Sequence, residues 1–283
     1  MICQQIIEGF IHRLHSMPVA QNARGTASML EHVLRRVKDQ FRQTFSNDLV
    51  IELGTSNTVI YVPDQGIVLN EPTIIAFDDA SNKIVAVGRE AKLALGRQAS
   101  TIRIVRPVKE GVIADFDAAE IMLTYFIKSA MAQRKLYNPR VLICAPSEIS
   151  EVERRAFEDA AGRAGARYVD IIEAPLTAAL GAGFDVQSAR VFMIIDIGGG
   201  TTDIAVLGYG GPVHLSTLRV GGSKMDEAII QHMRHNHCLE IGELTAEAIK
   251  IQLGSYGPKD DGQLIEVRGR DLKTGLPALV AVA

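Results

Sequence analysis

The chain has 283 residues, of which 47% are hydrophobic and 22% charged, a globular composition that excludes a disordered or fibrous protein. Its length predicts two lobes or two domains, since one domain commonly has about 100–200 residues. The net charge of −3 excludes a protein whose whole surface binds polyanions. The three cysteines, Cys3, Cys144 and Cys238, are scattered, which excludes a disulfide framework and predicts that the protein resides in a reducing cytoplasm. No apolar run approaches the roughly 18 residues of a membrane span, so we expect neither a secreted nor a membrane-spanning protein.

The first 46 residues differ in charge from the rest of the chain. They contain six Lys or Arg residues and three acidic ones, a net charge of +3. Apolar residues recur there at three- and four-residue spacing between basic ones, which predicts a basic amphipathic helix over Met29–Phe45. Such a helix binds an anionic membrane surface, or else packs on its own domain or on a partner. Residues 2–17 carry a second apolar stripe, which we interpret as an upstream extension.

Two strand-turn-strand units of the same design lie far apart in the chain. In the first, residues 49–51 predict a strand, residues 52–58 a polar turn that contains Gly54, and residues 59–62 a second strand. The second unit repeats this order, with a strand at 192–195, a turn at 196–203 and a strand at 204–207. An internal repeat of this kind implies two similar domains that face each other.

The composition of these two turns favours phosphate binding. Glycine lets backbone amides approach phosphate oxygens, and Thr and Ser hydroxyls add further donors. Glu52 and Asp196, each at the end of an entering strand, are placed to hold Mg²⁺ through its water ligands. One Gly-rich turn alone is more simply a tight hairpin, whereas two matched copies favour a pair of loops that hold a nucleotide from opposite sides.

The turn sequences 51–58 (IELGTSNT) and 196–203 (DIGGGTTD) resemble the two phosphate loops of the actin/Hsp70/sugar-kinase superfamily. Four further stretches narrow the resemblance to the MreB family of bacterial actins, namely 66–72 (GIVLNEP), 111–116 (GVIADF), 220–228 (VGGSKMDEA) and 266–272 (EVRGRDL). The resemblance extends from Phe45 to about Pro277. It implies an α/β, actin-like (ribonuclease H-like) duplicated two-domain fold with a nucleotide cleft.

The resemblance also implies a domain organisation. Residues 1–46 form the extension and the membrane helix, residues 47–183 form actin-like domain I with a subdomain insert at about 70–112, and residues 184–283 form actin-like domain II. The family continues with further helices and a Gly-rich adenosine loop, so we expect domain II to be incomplete, with an exposed sheet edge and apolar surface. The local patterns predict helices at 118–134, 151–164, 223–235 and 245–253 and a strand at 140–145.

Members of this family bind ATP and form filaments at the inner face of the membrane, where they guide cell-wall synthesis and maintain rod shape. The resemblance therefore implies an ATP- and Mg²⁺-binding cytoskeletal protein, cytoplasmic and associated with the inner face of the cell membrane. Its implied partners are further copies of the chain, an anionic membrane surface bound through Met29–Phe45, and the cell-wall synthesis machinery; nucleic acid is not expected. Leu136 and Tyr137 loosely match a second membrane contact of the family.

The site residues follow from the same resemblance. Thr201 assists hydrolysis, Glu247 and Lys250 flank the ribose and adenine, and Glu52 and Asp196 hold the metal. The residues implied to bind the nucleotide phosphates belong to the two turns and are Gly54, Thr55, Ser56, Asn57, Gly198, Gly199, Gly200, Thr201 and Thr202.

Two positions depart from the family pattern. The family orients the attacking water with a Glu directly before the Pro of a Glu-Pro pair, and that position is Ala174 here, with Glu173 one residue away. Glu52 stands where the family usually has Asp, and its extra methylene would disturb an octahedral Mg²⁺ site. Together with the missing adenosine loop, these departures predict weakened nucleotide affinity and little or no ATPase activity.

Two other functions stay open at this point. A sugar kinase or an Hsp70-type ATPase of the same superfamily would need a sugar pocket or a peptide-binding region, and neither is visible in the sequence. A truncated, non-hydrolysing scaffold or regulator would co-assemble with an intact paralogue, a function that Ala174 favours. His232, His235, His237 and Cys238 lie close together in sequence, but solvated histidines are a simpler interpretation than a metal site.

Overall fold

The computed structural model describes residues 48–282 except 64, 97–98, 133–137, 187, 210 and 258–263. The predicted extension and helix in residues 1–46 and the predicted loop at Leu136–Tyr137 lie outside the described residues. No helix within the described ranges is both long and apolar enough to cross a membrane.

The described elements alternate between strands and helices in both halves of the chain. Up to residue 183 they are, in order, β1 (Asp48–Leu53), β2 (Asn57–Val62), β3 (Gly66–Pro72), β4 (Ile75–Asp78), β5 (Ile84–Val87), α1 (Arg89–Ala94), β6 (Ile102–Val105), β7 (Val108–Lys109), β8 (Val112–Ile113), α2 (Phe116–Ala130), β9 (Arg140–Ala145), α3 (Glu151–Arg163), β10 (Tyr168–Glu173) and α4 (Ala174–Gly181). After it they are β11 (Phe192–Ile197), β12 (Thr202–Gly208), β13 (Gly211–Leu218), α5 (Gly222–His237), β14 (Leu239–Glu240), α6 (Glu243–Leu253), β15 (Ile265–Asp271) and β16 (Pro277–Val282). Residues 48–183 are named the first lobe and residues 184–282 the second lobe, after the predicted domain boundary, which stays a prediction.

The main sheet of the first lobe has five strands in the order β10-β9-β1-β2-β3. β1 is its middle strand, antiparallel to β2 and parallel to β9. Leu49, Val50 and Ile51 of β1 are fully buried, as expected for a strand covered on both faces. A smaller sheet with the order β5-β4-β6 lies within the predicted insert, and the strands β7 and β8 pair with each other.

The second lobe repeats the antiparallel part of this design. Its strands β11, β12 and β13 form a three-stranded sheet in that order, with β11 and β12 joined as β1 and β2 are. A further sheet has the order β14-β15-β16 and packs with α5 and α6 around Met233, Leu239 and Ile249. The predicted internal repeat is therefore confirmed for the two strand-turn-strand units.

The predicted strand at 140–145 is confirmed, and the four predicted helices are confirmed with small changes at their ends. α2 begins at Phe116, two residues before its predicted start, because the side chain of Asp115 accepts a hydrogen bond from the Ala118 amide at 3.0 Å. α3 begins at Glu151, where Ser150 and Glu153 form a capping box.

Helix α4 connects the two lobes. Its sequence APLTAALG is apolar on every side, and residues 175–180 are all buried. Leu176, Ala179 and Leu180 belong to one core cluster with Val50 of β1 and with residues of β11 and β12 that face α4. Because α4 packs between the sheets of both lobes, it fixes where the two strand-turn-strand units lie with respect to each other.

One face of the β11–β13 sheet packs against α4, and the opposite face is exposed in the described part of the chain. Along β11, Met193, Ile195 and Ile197 are 59%, 53% and 64% exposed, and β11 is also an edge strand. Thr202 of β12 pairs with Ile197 of β11 and with Leu218 of β13. Leu218, which is 50% exposed, therefore lies on the same side of the sheet as Ile197. A row of large apolar side chains in water is the kind of surface that promotes association.

Candidate functional site

The turns of the two strand-turn-strand units lie against each other. Residues 54–56 are named the first tip and residues 198–201 the second tip. A Cβ atom on Gly199 would lie 2.0 Å from Ser56 Oγ, and one on Gly200 would lie 2.2 Å from Thr55 Oγ1. The two tips therefore meet at van der Waals distance, and only glycine leaves enough room at Gly199 and Gly200.

The first tip is fixed by contacts with its own lobe. Gly54 donates a backbone hydrogen bond to Asn57 O at 3.1 Å, and Thr73 donates one to Ser56 O at 2.9 Å. Thr55 is 9% exposed, and its Oγ1 accepts a hydrogen bond from the Gly111 amide at 3.0 Å. The tip is therefore held in place before any ligand binds.

Gly111 is a site residue to which the sequence reasoning gave no role beyond the family match. Its φ of +78° is a left-handed conformation that favours glycine, and a Cβ atom there would lie 2.6 Å from Thr201 Cγ2 and 2.9 Å from Pro146 Cγ. Gly111 thus brings Thr201 of the second tip next to Thr55 of the first. Glu110 and Gly111 both have positive φ, so the chain turns tightly here, and the glycine itself was the available sequence signal for this turn.

The second tip is supported by the start of helix α5. Gly198 O accepts a hydrogen bond from the Gly222 amide at 3.0 Å, and Gly199 O accepts one from the Ser223 amide at 2.8 Å. Thr202, which begins β12, donates its hydroxyl to Val220 O at 2.8 Å. A Cβ atom on Gly221 would lie 2.6 Å from Gly198 O, so this close approach also requires glycine.

Several backbone amides at the two tips have no hydrogen-bond acceptor. Among the described residues, the amides of Ser56, Gly199 and Gly200 donate to no other group, and Gly200 is buried. A buried amide without a partner costs free energy, and a bound anion would remove that cost. The two tips therefore bring amides without acceptors from both lobes close together.

Carboxylates lie beside the second tip. Asp196 of β11 is directly opposite Asp203 of β12. Burial, and secondly the charge of Asp203, raise the pKa of the Asp196 carboxyl. Asp203 is itself buried and accepts hydrogen bonds from Thr217 Oγ1 at 2.5 Å and from the Ser147 amide at 3.3 Å.

Two carboxylates at one point attract a cation, although the described residues bring no third His, Cys, Asp or Glu side chain to this place. A raised pKa means that the charged form of Asp196 lacks stabilisation, which a divalent cation would supply. In the described part of the chain the buried Ser147 Oγ has no hydrogen-bond partner, which adds a free oxygen next to Asp203. Glu52, the other predicted metal residue, lies at the end of β1, where it pairs with Val59 and Cys144.

The two predicted adenosine residues of α6 have different contacts. Lys250 Nζ donates to Gly222 O at 3.0 Å and to Asp226 Oδ2 at 2.9 Å, which places it at the start of α5 beside the second tip. Glu247 lies one turn earlier, and its carboxylate accepts two hydrogen bonds from Lys92 Nζ of α1 in the first lobe, at 2.8 and 3.1 Å. Lys250 therefore lies beside the second tip, whereas the ion pair of Glu247 with Lys92 connects the two lobes.

Ala174 is the first residue of α4 and follows directly on β10. Its carbonyl oxygen accepts a hydrogen bond from Thr177 Oγ1 at 2.7 Å. Glu173, the preceding residue, is the N-cap residue of α4 but makes no capping hydrogen bond. Burial raises the pKa of the Glu173 carboxyl, and the positive charge of Arg154 opposes this only in part.

We expect the substitution Glu173→Gln to raise the free energy of unfolding at neutral pH. A carboxyl whose pKa is raised by folding contributes stability that is fully present below its unfolded pKa, and this share is lost as the pH rises through the folded pKa. Urea denaturation at pH values from just below 4.5, the ordinary pKa of a Glu side chain, up to neutral pH measures this loss of unfolding free energy. The loss should be smaller in the variant than in wild type. The exposed Asp159→Asn serves as a control, and equal pH slopes for wild type and Glu173→Gln would contradict the prediction.

The histidine cluster gives no metal site in the described ranges, where no three His, Cys, Asp or Glu side chains converge. The rings of His232 and His237 lie 5.7 Å apart, and His235 Nδ1 contacts the backbone oxygen of Gln231 at 2.8 Å. Helix α5 ends at His237, and Cys238 adopts a left-handed conformation.

Comparisons with known proteins agree with this geometry. The model of the protein family described as "MreB/Mbl protein" matches residues 46–283 of this chain. The cell shape-determining protein MreB of Escherichia coli (strain K12) is 50% identical over 243 residues, which cover 84% of this chain and 70% of that protein. The cell shape-determining protein Mbl of Bacillus subtilis (strain 168) is 43% identical over 238 residues, covering 84% of this chain and 72% of that protein.

Solved structures show the same fold. MreB5 of Spiroplasma citri bound to ADP has a TM-score of 0.77 and 35% identity, covering 83% of this chain and 70% of that one. A MamK double helical filament has a TM-score of 0.65 at 19% identity, covering 83% and 73% of the two chains, and supports the fold alone. The predicted α/β, actin-like fold is confirmed, and the chain belongs to the MreB/Mbl family.

Proposed function

We propose that this protein is an ATP-binding, filament-forming, actin-like protein that determines cell shape. The contact of Ser56 and Thr55 with Gly199 and Gly200 supports this function most directly, because it brings backbone amides and hydroxyls of both lobes close together, and such groups are suited to phosphate oxygens. The related MreB and Mbl proteins are named cell shape-determining, and MreB5 of Spiroplasma citri was solved with ADP and with AMPPNP. Family membership favours this function over a sugar kinase or an Hsp70-type ATPase.

The tip residues would bind the phosphate tail of the nucleotide. The unpaired amides of Ser56, Gly199 and Gly200, with the hydroxyls of Thr55 and Ser56, are donors suited to phosphate oxygens. Asp196 would hold Mg²⁺ through its waters, with Glu52 as the second candidate, and the ion would neutralise phosphate charge when bound. Thr201, whose methyl group lies next to Gly111, would assist hydrolysis from the second tip. Lys250, which donates to Gly222 O beside the second tip, would contact the nucleotide beyond its phosphates, as the family resemblance implies.

Nucleotide binding and assembly can be tested together. We expect a fluorescent ATP analogue to bind the purified 283-residue chain with Mg²⁺, and light scattering and electron microscopy to show filaments with ATP. Removal of Mg²⁺ with a chelator should weaken binding, because the phosphate charges would then meet the carboxylate of Asp196 directly. Absence of analogue binding under every condition would contradict the proposal.

We also propose that Met29–Phe45 binds an anionic membrane surface. The segment combines an apolar stripe with basic residues, each worth about 1 kcal/mol near anionic lipid. Association with the cell-wall synthesis machinery stays a prediction of the family resemblance.

The membrane proposal predicts the effect of one substitution in this stripe. Leu34→Asp should lower binding to phosphatidylglycerol vesicles by at least about tenfold, because a buried Leu side chain contributes roughly 1.5–3 kcal/mol. Vesicle co-sedimentation measures the effect. Gln40→Asp makes the same change in charge at a polar position and should have a much smaller effect. Equal losses in the two variants would show that charge alone governs binding and would contradict a helix whose apolar face is buried in lipid.

A non-hydrolysing scaffold that co-assembles with an intact paralogue stays a second candidate, because Ala174 occupies the position of the water-orienting residue.

A further inference from the structure

Strand β11 has an open edge to which no other strand of the described chain pairs. It pairs with β12 on one side only, whereas β1, its counterpart in the first lobe, pairs with β2 on one side and with β9 on the other. An open edge presents backbone donors and acceptors that can pair with a further strand. The edge of β11 is therefore a candidate surface for strand addition.

The outward backbone groups of β11 belong to the residues whose side chains form the exposed apolar row. Gly198 donates its amide to Thr201 O at 2.8 Å, so these two residues form a hydrogen-bonded pair. Hydrogen-bonded and non-hydrogen-bonded pairs alternate along an antiparallel ladder. Met193, Ile195 and Ile197 therefore direct their amides and carbonyls away from β12. Within the described ranges, none of these groups makes a hydrogen bond.

Strand β13, the other edge of the same sheet, has features that oppose strand addition. Pro212 has no amide to donate, and the ladder between β12 and β13 contains a register shift. Glu148 of the first lobe accepts a hydrogen bond from the Thr217 amide at 2.8 Å, which occupies an outward group of β13. β11 contains no proline or lysine and pairs with β12 without a register shift. Because proteins commonly protect free edges, the unprotected edge of β11 indicates a strand that pairs with another.

A second copy of β11 fits this edge when a twofold axis passes through Ile195. In this antiparallel register Ile195 lies opposite Ile195 of the second copy, and Met193 lies opposite Ile197 of the second copy. Each pair exchanges two hydrogen bonds, because all three residues direct their backbone groups outward. Opposed side chains lie on one face with Cβ atoms about 5 Å apart, so the apolar row continues across both copies.

The charges at the two ends of β11 favour this antiparallel arrangement. Arg190 lies just before the strand, and Asp196 lies near its end. Antiparallel pairing places the basic end of each strand beside the acidic end of the other, and Asp196 then lies opposite Ile194 of the second copy. Parallel pairing in the same register would bring Asp196 beside Asp196 of the second copy, and like charges at neighbouring positions are destabilising.

We propose that two copies of this chain associate through β11, so that their β11–β13 sheets form one continuous antiparallel sheet. The second tips, which follow β11, then lie at opposite ends of the paired strands. A contact of one short strand per copy is smaller than the roughly 1,200 Å² of a stable interface, so we expect a weak dimer with a dissociation constant on the order of 10–100 µM. The pairing needs no nucleotide and does not depend on the proposed function.

Sedimentation velocity of the 283-residue chain without nucleotide measures this association. Between about 2 and about 200 µM we expect the chain to shift from monomer to dimer. Ile195→Pro should weaken the dimer by at least about tenfold, because it removes an outward amide and places a ring at the paired edge, while the ladder with β12 stays intact. Circular dichroism checks the fold of the variant. A chain that stays monomeric throughout would overturn the proposal, as would a dimer that a folded Ile195→Pro variant leaves unchanged.

Leu218→Ser is the matched control for Met193→Ser. Both side chains are at least half exposed on the same face, but Leu218 belongs to β13, two strands from the open edge. Pairing through the edge predicts that Met193→Ser weakens the dimer and that Leu218→Ser does not. Equal weakening would show that apolar faces stack on each other and would overturn the edge pairing. Loss of the dimer in Leu34→Asp, with no effect of Ile195→Pro, would assign association to Met29–Phe45 and also overturn it.

Disulfide trapping tests the register independently of the proline variant. In the 283-residue chain with Cys3 and Cys238 replaced by Ser, Ile195→Cys should form a covalent dimer under mild oxidation, because the two thiols face each other across the twofold axis. Two copies of Met193→Cys would hold their thiols roughly 13 Å apart along the strands and should react far less. A mixture of Met193→Cys with Ile197→Cys should form a covalent heterodimer. Equal trapping of Ile195→Cys and Met193→Cys alone would overturn this pairing.

Discussion

Gly200→Ala should lower nucleotide affinity by about 10- to 100-fold. The new methyl group would lie 2.2 Å from Thr55 Oγ1, 2.8 Å from its Cβ and 2.9 Å from its Cγ2. Thr55 cannot easily retreat, because it is buried and its hydroxyl is bound to the Gly111 amide. Overpacking of this kind commonly costs 1–3 kcal/mol, and the tips would have to separate, which would misplace the amide donors of both lobes.

Titration with a fluorescent ATP analogue measures this affinity, and thermal unfolding followed by circular dichroism shows whether the variant is folded. Gly162→Ala on α3 is the control, because a Cβ atom there meets nothing within 4 Å. It should keep wild-type affinity and gain roughly 0.5–1 kcal/mol of stability from the better helix propensity of alanine. A folded Gly200→Ala variant with wild-type affinity would show that the contact between the tips is not part of the nucleotide site.

Ala174→Glu should raise ATP turnover by about 100-fold or more. A residue that positions or activates the attacking water commonly contributes a factor of about 10²–10⁴. Position 174 is the first residue of α4, where the positive end of the helix dipole favours a carboxylate. Thr201, the other residue implied in hydrolysis, is already present in the second tip.

Phosphate release under single-turnover conditions, at saturating ATP, separates this effect from a change in affinity. Ala182→Glu places the same carboxylate at the exposed opposite end of α4 and should leave turnover unchanged. Turnover that is equal in wild type and Ala174→Glu would show that position 174 does not orient the water. The expected result, slow turnover in wild type that rises only in Ala174→Glu, would also support the non-hydrolysing scaffold.

The local elements could be predicted from the sequence because their signals are local. The apolar strand before Glu52, the glycines at 198–200 and the helix predicted at 151–164 each depend on signals within a few residues, and the structure has the corresponding strand, turn and helix. The repeat of the two turns also predicted that they face each other, since two similar domains commonly form one site between them.

The rest of the site depends on contacts between residues far apart in sequence. Nothing near Gly111 shows that its amide binds Thr55, and nothing near Glu247 shows that Lys92 will be its partner. The burial of Asp203 follows from the packing of Thr217 and Ser147 around it, which a single sequence does not reveal. Family resemblance supplied roles for single positions, whereas the contacts that connect them required the fold.

The exposed face of the β11–β13 sheet has a practical consequence for work with the isolated chain. The attraction between apolar side chains such as Met193, Ile195 and Ile197 is mainly entropic near room temperature and weakens on cooling. Solutions of the protein should therefore stay clear in the cold and become turbid on warming, well below the temperature at which the fold melts. Ile195→Lys should raise the onset temperature of turbidity while leaving the melting temperature nearly unchanged.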